Sequence, residues 1–185
     1  RIVFGYAAIA ADSTYTVPTR YYAGLMVVMC IACLRMIDVY RSALQYTHEN
    51  WFTALAFDSK VQSRKHVPMP WACTRQPIGL ASGWSDVLLE HARGKQTMLL
   101  RPDMPRGGDI THVSVKGFLP DGHASHAQAL RYFRMIARLA PLGAEPESIV
   151  ELEGHGPRHF MPNMGRILEM PKEHCEHFGR WSMAR

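Results

Sequence analysis

The longest apolar stretch in the chain runs from Tyr21 to Leu34, 14 residues without a charge. Crossing a bilayer takes about 20 such residues, so this run reads as a buried helix. Val17, Pro18 and Thr19 supply its start signal, and the pattern predicts a helix continuing past Arg35 and Asp38 to about Ser42. A core helix thereby carries Arg35 at its polar end. From Trp51 the spacing changes: Phe52, Leu55 and Phe57, then Val67 and Met69, flank the polar Asp58–Lys65, as in a β-hairpin with a basic turn. Pro68 and Pro70 are expected to end its second strand, and Trp71 to Gly83 to form a loop.

Further along, Ser85 is placed to cap a short helix through Arg93, stopped by Gly94. Residues 94–122 hold Pro102, Pro105, Gly107, Gly108, Pro120 and Gly122, and predict a long surface segment extended only at Thr97–Leu100 and His112–Val115. Ser125 with Gln128 forms a capping box opening an amphipathic helix to about Ala140, with Leu130, Phe133 and Ala137 on its apolar side. Arg131, Arg134 and Arg138 share another face, with no acidic residue between Ala124 and Ala140; it is either a solvated face or a phosphate-contacting one. A 141–146 linker follows, then a short helical stretch at 147–153. Gly154-His155-Gly156-Pro157 reads as a turn into a helix from Arg158 to about Glu169, bent near Pro162. Pro171 starts a last helix that Gly179 ends.

Composition narrows this picture only a little. The chain has 185 residues and a formal charge of +5, with 47% hydrophobic residues, enough for one domain with a real core. Disorder is excluded, and an acidic partner is favoured mildly. The sequence begins at Arg1 with no leader-like pattern, which reads as a piece of a longer intracellular protein without a signal peptide. Cys30, Cys33, Cys73 and Cys175 are too few for a disulfide scaffold. Cys30 and Cys33 form a CxxC inside the apolar run with no second pair at zinc spacing, so they are expected in the core.

The candidate chemistry lies at His155-Gly156-Pro157-Arg158-His159. At a helix start, where backbone N–H groups and the helix dipole favour anions, Arg158 offers a fork of donors matched to phosphate, and His155 a donor able to move a proton near neutral pH. Three companions accompany it: Cys33-Leu34-Arg35-Met36-Ile37-Asp38, Ser59-Lys60 with Val67-Pro68, and Phe178-Gly179-Arg180-Trp181. Lys60 follows Arg35 by 25 residues, and Trp181 follows Arg158 by 23.

In order and spacing these pieces resemble the catalytic domain of the tyrosine recombinases, the phage-type integrases, over about Val17 to Met183. The Pro-containing box, the Gly-Arg-Trp variant and Lys65-His66-Val67-Pro68 look most like the Crypton and DIRS-like recombinases of eukaryotic mobile elements. The resemblance implies a mainly α fold with a small antiparallel β-sheet (α+β), forming a single catalytic domain over 1–185. It implies DNA as partner, in the nucleus if the source is eukaryotic. It also implies DNA breakage and rejoining by phosphoryl transfer, as in integration, with no metal or cofactor, no membrane and no small-molecule substrate, and tetramers on DNA for the full-length protein. In that reading Arg35 and Arg158 clamp the phosphate, His155 and Trp181 add donors, and Lys60 is the general acid. Asp38 and His159 support the site, while Arg64, Lys65 and Arg180 join Arg131, Arg134 and Arg138 in contacting DNA.

The chain also departs from the pattern. The family's nucleophilic Tyr follows the Gly-His or Gly-Arg-Trp position, yet all seven tyrosines, Tyr6, Tyr15, Tyr21, Tyr22, Tyr40, Tyr46 and Tyr132, precede the box. This chain alone is therefore expected to be inactive in strand cleavage, without the nucleophile segment or the N-terminal DNA-clamping domain. Cys33 stands where the pattern has Gly. Two alternatives follow: an inactive, domesticated DNA-binding module, or a His-rich zinc protein using His155, His159, His174, Cys175 and His177.

Overall fold

The computed structural model describes residues 2–57, 68–77, 79–139 and 156–179. Helix α1 (Ile2–Ala11) is apolar on every side, so no amphipathic stripe announces it, and it packs on α2 (Val17–Ile31). The Thr16 side chain caps α2 by accepting the Thr19 N–H at 3.3 Å, and Pro18 sits in the first turn, where its missing N–H costs nothing. Tyr21 through Cys30 of α2 are buried all round. The helix is the axis of the molecule, touching α1, the helices Asp86–Ala92, His126–Ala137 and Phe160–Ile167, and the 3₁₀ turn at 156–159. Three buried phenols tie this pair to later elements: Tyr6 donates to the Phe133 carbonyl at 3.0 Å, Tyr21 to Met98 at 2.8 Å and Tyr22 to Leu100 at 2.6 Å.

The expected helix to Ser42 is broken into three pieces. Helix α2 stops at Ile31, Cys33 takes a left-handed φ of 52°, and Arg35 is extended before the short α3 (Met36–Tyr40). Ser42 then opens strand β1 (Ser42–Thr47), which pairs with β2 (Trp51–Ala56), and β2 with β3 (Met69–Thr74), all antiparallel in the order β1-β2-β3. The second strand of the hairpin thus begins, not ends, at its prolines, and Trp71–Thr74 is strand instead of loop. Pro70 is tolerated because, among the described residues, β3 is an edge strand with a partner on one side only.

Helix α4 (Asp86–Ala92) follows Ser85 as expected and ends before Gly94, whose φ of 72° suits glycine. The Ser85 hydroxyl does not cap it; it accepts the Arg75 Nε–H at 3.2 Å. Strands β4 (Leu100–Pro102) and β5 (Phe118–His123) form a second small sheet. His112–Val115, expected extended, is a series of turns held by Val115 N–H to His112 carbonyl at 2.9 Å. Helix α5 (His126–Ala137) carries the expected capping box: Gln128 N–H to Ser125 Oγ at 3.2 Å and Ser125 N–H to Gln128 Oε1 at 2.8 Å. Residues 156–159 are a 3₁₀ turn leading into α6 (Phe160–Ile167), and α7 (Lys172–Gly179) follows Pro171. Pro162 lies in the first turn of α6, where it needs no bend. The fold is α+β, helices around α2 with two small antiparallel sheets. Among the described residues no helix is long and apolar enough to cross a membrane.

Candidate active site

Arg35 is positioned by the chain on both sides of it. The left-handed turn at Cys33 swings the backbone out of α2, and Leu34 is fully buried beneath, its N–H bonded to the Met29 carbonyl at 2.9 Å. Arg35 then occupies the N-cap of α3, where the Asp38 carboxylate accepts its N–H at 3.0 Å. Asp38 is buried, and a second chain of bonds fixes the turn that holds it. Ser42 Oγ donates to the Asp38 carbonyl at 2.6 Å and accepts from Trp71 Nε1 at 2.9 Å. Helix α3, β1 and β3 are thus joined through one fully buried serine. Asp38 thus closes the N-terminus of α3 through the Arg35 backbone N–H. The Arg35 Nε is buried, and among the described residues no side chain or carbonyl accepts from it.

The remaining expected site residues cluster in sequence around the described ones. Lys60, Arg64, Lys65, His155, Arg180 and Trp181 lie outside the described residues, as does the predicted 147–153 stretch, and only the backbone of Arg158 is described. The elements flanking them are informative. The Phe57 N–H bonds the Arg41 carbonyl at 2.8 Å, and Ala56 faces both Ser42 and Met69. The strand ends bordering 58–67 therefore stand at the C-terminal end of α3, beside a groove of about 470 Å³ lined by Tyr40, Arg41, Phe57 and His123. The 3₁₀ turn carrying Pro157 and the Arg158 backbone packs on α2, the helix whose exit delivers Arg35, with Pro157 buried. His159, expected to support the site, is exposed at the end of this turn, whereas Pro157 is buried.

The arginines of α5 do not form one uniform solvated stripe. Arg131 and Arg138 are exposed and Arg134 is half-buried. Arg131 donates to the Gly107 and Gly108 carbonyls, tying α5 to the loop after β4. A second arginine hub escaped the sequence reading. Arg75 bonds the His48 carbonyl at 3.1 Å, Ser85 Oγ at 3.2 Å and Asp86 at 2.7 Å, joining the β1–β2 turn to α4.

The cysteines behave as core residues. All four are buried and unpaired by disulfide, and burial, with Cys33 nearby, pushes the Cys30 thiol up to about 12. A thiol raised in this way is a poor nucleophile and a poor metal ligand at neutral pH. Among the described residues no three His, Cys, Asp or Glu side chains converge as a metal site would require; His174 is exposed, whereas Cys175 is buried under Gly165.

No family model and no curated protein matches the sequence. The fold does have solved likenesses. An FLP recombinase–Holliday junction complex aligns with TM-score 0.56 and 15% identity over 97% of this chain, and a Flpe–Holliday junction complex with TM-score 0.55 and 13% identity over 97%. The chain spans 43% of the length of each of those proteins. The α+β fold is thus shared with part of the FLP recombinase chain.

Proposed function

We propose that this chain is the catalytic core of a DNA strand-exchange enzyme of the tyrosine recombinase kind. One observation supports the reading: a fold alike, over 97% of the chain, to recombinases held on Holliday junctions. Arg35 and Arg158 neutralise the non-bridging oxygens of a phosphodiester while a tyrosine hydroxyl, giving its proton to His155, attacks phosphorus. Lys60 protonates the departing 5′ oxygen, so the phosphotyrosyl bond forms as the P–O5′ bond breaks. His155 and Trp181 hold the same phosphate, and Asp38 fixes Arg35. Tyr6, Tyr21 and Tyr22 are not the nucleophile, since each is buried with its hydroxyl given to a carbonyl of the core. The box His155-Gly156-Pro157-Arg158-His159 and Phe178-Gly179-Arg180-Trp181 favour the branch found in eukaryotic mobile elements, whose members integrate DNA as tetramers in the nucleus.

A second reading keeps the fold and the DNA binding without cleavage. A nicked suicide substrate separates the two. The full-length protein should form a covalent protein–DNA adduct that Arg158→Ala abolishes while leaving the circular dichroism spectrum unchanged. Wild-type adduct levels in Arg158→Ala overturn the site assignment, and DNA binding with no adduct in the wild type selects the second reading.

A further inference from the structure

Away from Arg35, a cleft of about 380 Å³ opens between the loop after β4 and the start of α5, lined among others by Arg101, Arg106, Ser125, Gln128, Arg131 and Tyr132. Its chemistry is one-signed: three guanidiniums and no carboxylate among the lining residues. The walls are held in place. Arg131 is clamped on the Gly107 and Gly108 carbonyls, which fixes the loop that presents Arg106, and the capping box fixes Ser125 and Gln128. Tyr132 forms part of the lining. It is 3% exposed and its ring stands edge-on to Tyr22 at 5.0 Å, which holds the phenol in place at the cleft. A phenol fixed beside three arginines can add a neutral hydrogen-bond donor for an anion that enters the cleft. Burial raises the Tyr132 phenol above its ordinary range, and the Arg101 and Arg131 charges pull it back. Tyr132 therefore keeps its proton at neutral pH and donates.

The geometry points to a phosphate-binding site in this cleft, separate from the reacting phosphate, that anchors a backbone phosphodiester of bound DNA. Arg101 and Arg106, both exposed, supply the mobile charge, Arg131 the fixed charge, and Tyr132 a neutral donor at the floor. The start of α5 adds its positive dipole end to the same side. DNA as the source of the phosphate rests on the function proposed above.

The test measures duplex binding against salt for the full-length wild type, Arg106→Ala, Arg101→Ala and Tyr132→Phe. Each arginine variant should bind roughly tenfold more weakly, with the log–log salt slope shallower by about 1. Tyr132→Phe should weaken binding several-fold and leave the slope unchanged, because it removes a donor without charge. Wild-type affinity and slope in both arginine variants would overturn the site while the recombinase reading stands. Should the wild type bind no duplex, that reading falls, and the cleft is judged with inorganic phosphate by NMR. Shifts confined to Arg101, Arg106 and Tyr132 and lost in Arg106→Ala support the site; no shift, or an adventitious ion only, touching these residues no more than other surface arginines, overturns it.

Discussion

Ser42→Ala is the sharpest perturbation of the corner that holds Arg35. Ser42 is fully buried, and its hydroxyl both donates to the Asp38 carbonyl and accepts the Trp71 indole N–H. Deleting it removes one hydrogen bond of net worth about 1 kcal/mol and strands a buried indole donor at a cost of about 1–3 kcal/mol. The sum, about 2–4 kcal/mol, corresponds to a melting point lower by roughly 4–16 °C for a domain of this size. Trp71→Phe removes the donor instead. Within that background Ser42→Ala strands nothing, so its penalty should shrink to about 1 kcal/mol, leaving a coupling of about 1–3 kcal/mol in the double-mutant cycle. Urea unfolding followed by circular dichroism reads all four species. If Ser42→Ala costs under about 0.5 kcal/mol, or costs the same in both backgrounds, the serine is not the bridge described.

Alkaline titration tests the buried phenols. Burial raises Tyr6, Tyr21 and Tyr22 above their ordinary value of 10.0. Because the folded pKa lies above the unfolded one, their stabilisation is complete below pH 10 and is lost as pH climbs beyond it, by about 1.4 kcal/mol per unit for each and about 4 for three. Tyrosinate absorbance from these residues should therefore appear together with loss of circular dichroism; ionisation at pH 10 in a folded protein would contradict the burial. In the α6–α7 pair, a Cβ at Gly165 would stand 2.8 Å from the buried Cys175 Sγ. Gly165→Ala should thus destabilise this pair by about 1–3 kcal/mol, seen as faster hydrogen exchange there with α2 unaffected, and Cys175→Ala should restore it; unchanged exchange would refute the contact.

Much of this architecture is legible in residue pattern alone, and the exceptions share a cause. The uncharged Tyr21–Leu34 run, the box of Ser125 and Gln128 and the stop at Gly94 are local signals, satisfied by local bonds. Helix α1 carries no such signal, because Val3, Tyr6 and Ala7 sit in a stretch apolar on every side. Strand β3 was obscured by Pro68 and Pro70, whose effect depends on whether the strand is an edge, and that is decided by a partner elsewhere in the chain. The same holds at the candidate sites. Arg35 stands out through motif order, whereas the Arg101, Arg106 and Tyr132 cleft is assembled from β4, its following loop and α5, residues without a common period.

Cys33 joins these lessons to the chemistry. Periodicity runs straight through Arg35 because nothing in the apolar pattern marks a single left-handed residue. A φ of 52° costs a non-glycine residue roughly 1–2 kcal/mol, and here it is held by a buried Leu34 and by the Cys33 side chain, itself in the core. The strain has a geometric return. Had α2 continued, Arg35 would lie on a helix flank, its N–H spent on the Ile31 carbonyl. Breaking the helix frees that N–H for Asp38 and puts the guanidinium at the mouth of α3. There its buried Nε finds no acceptor among the described residues. A buried charged donor left open is unfavourable in the unliganded protein, by the same physics that makes an arriving phosphate oxygen bind strongly. In the function proposed above, the conformational cost at Cys33 and the open donor at Arg35 are two parts of one arrangement, a guanidinium oriented before a phosphate arrives.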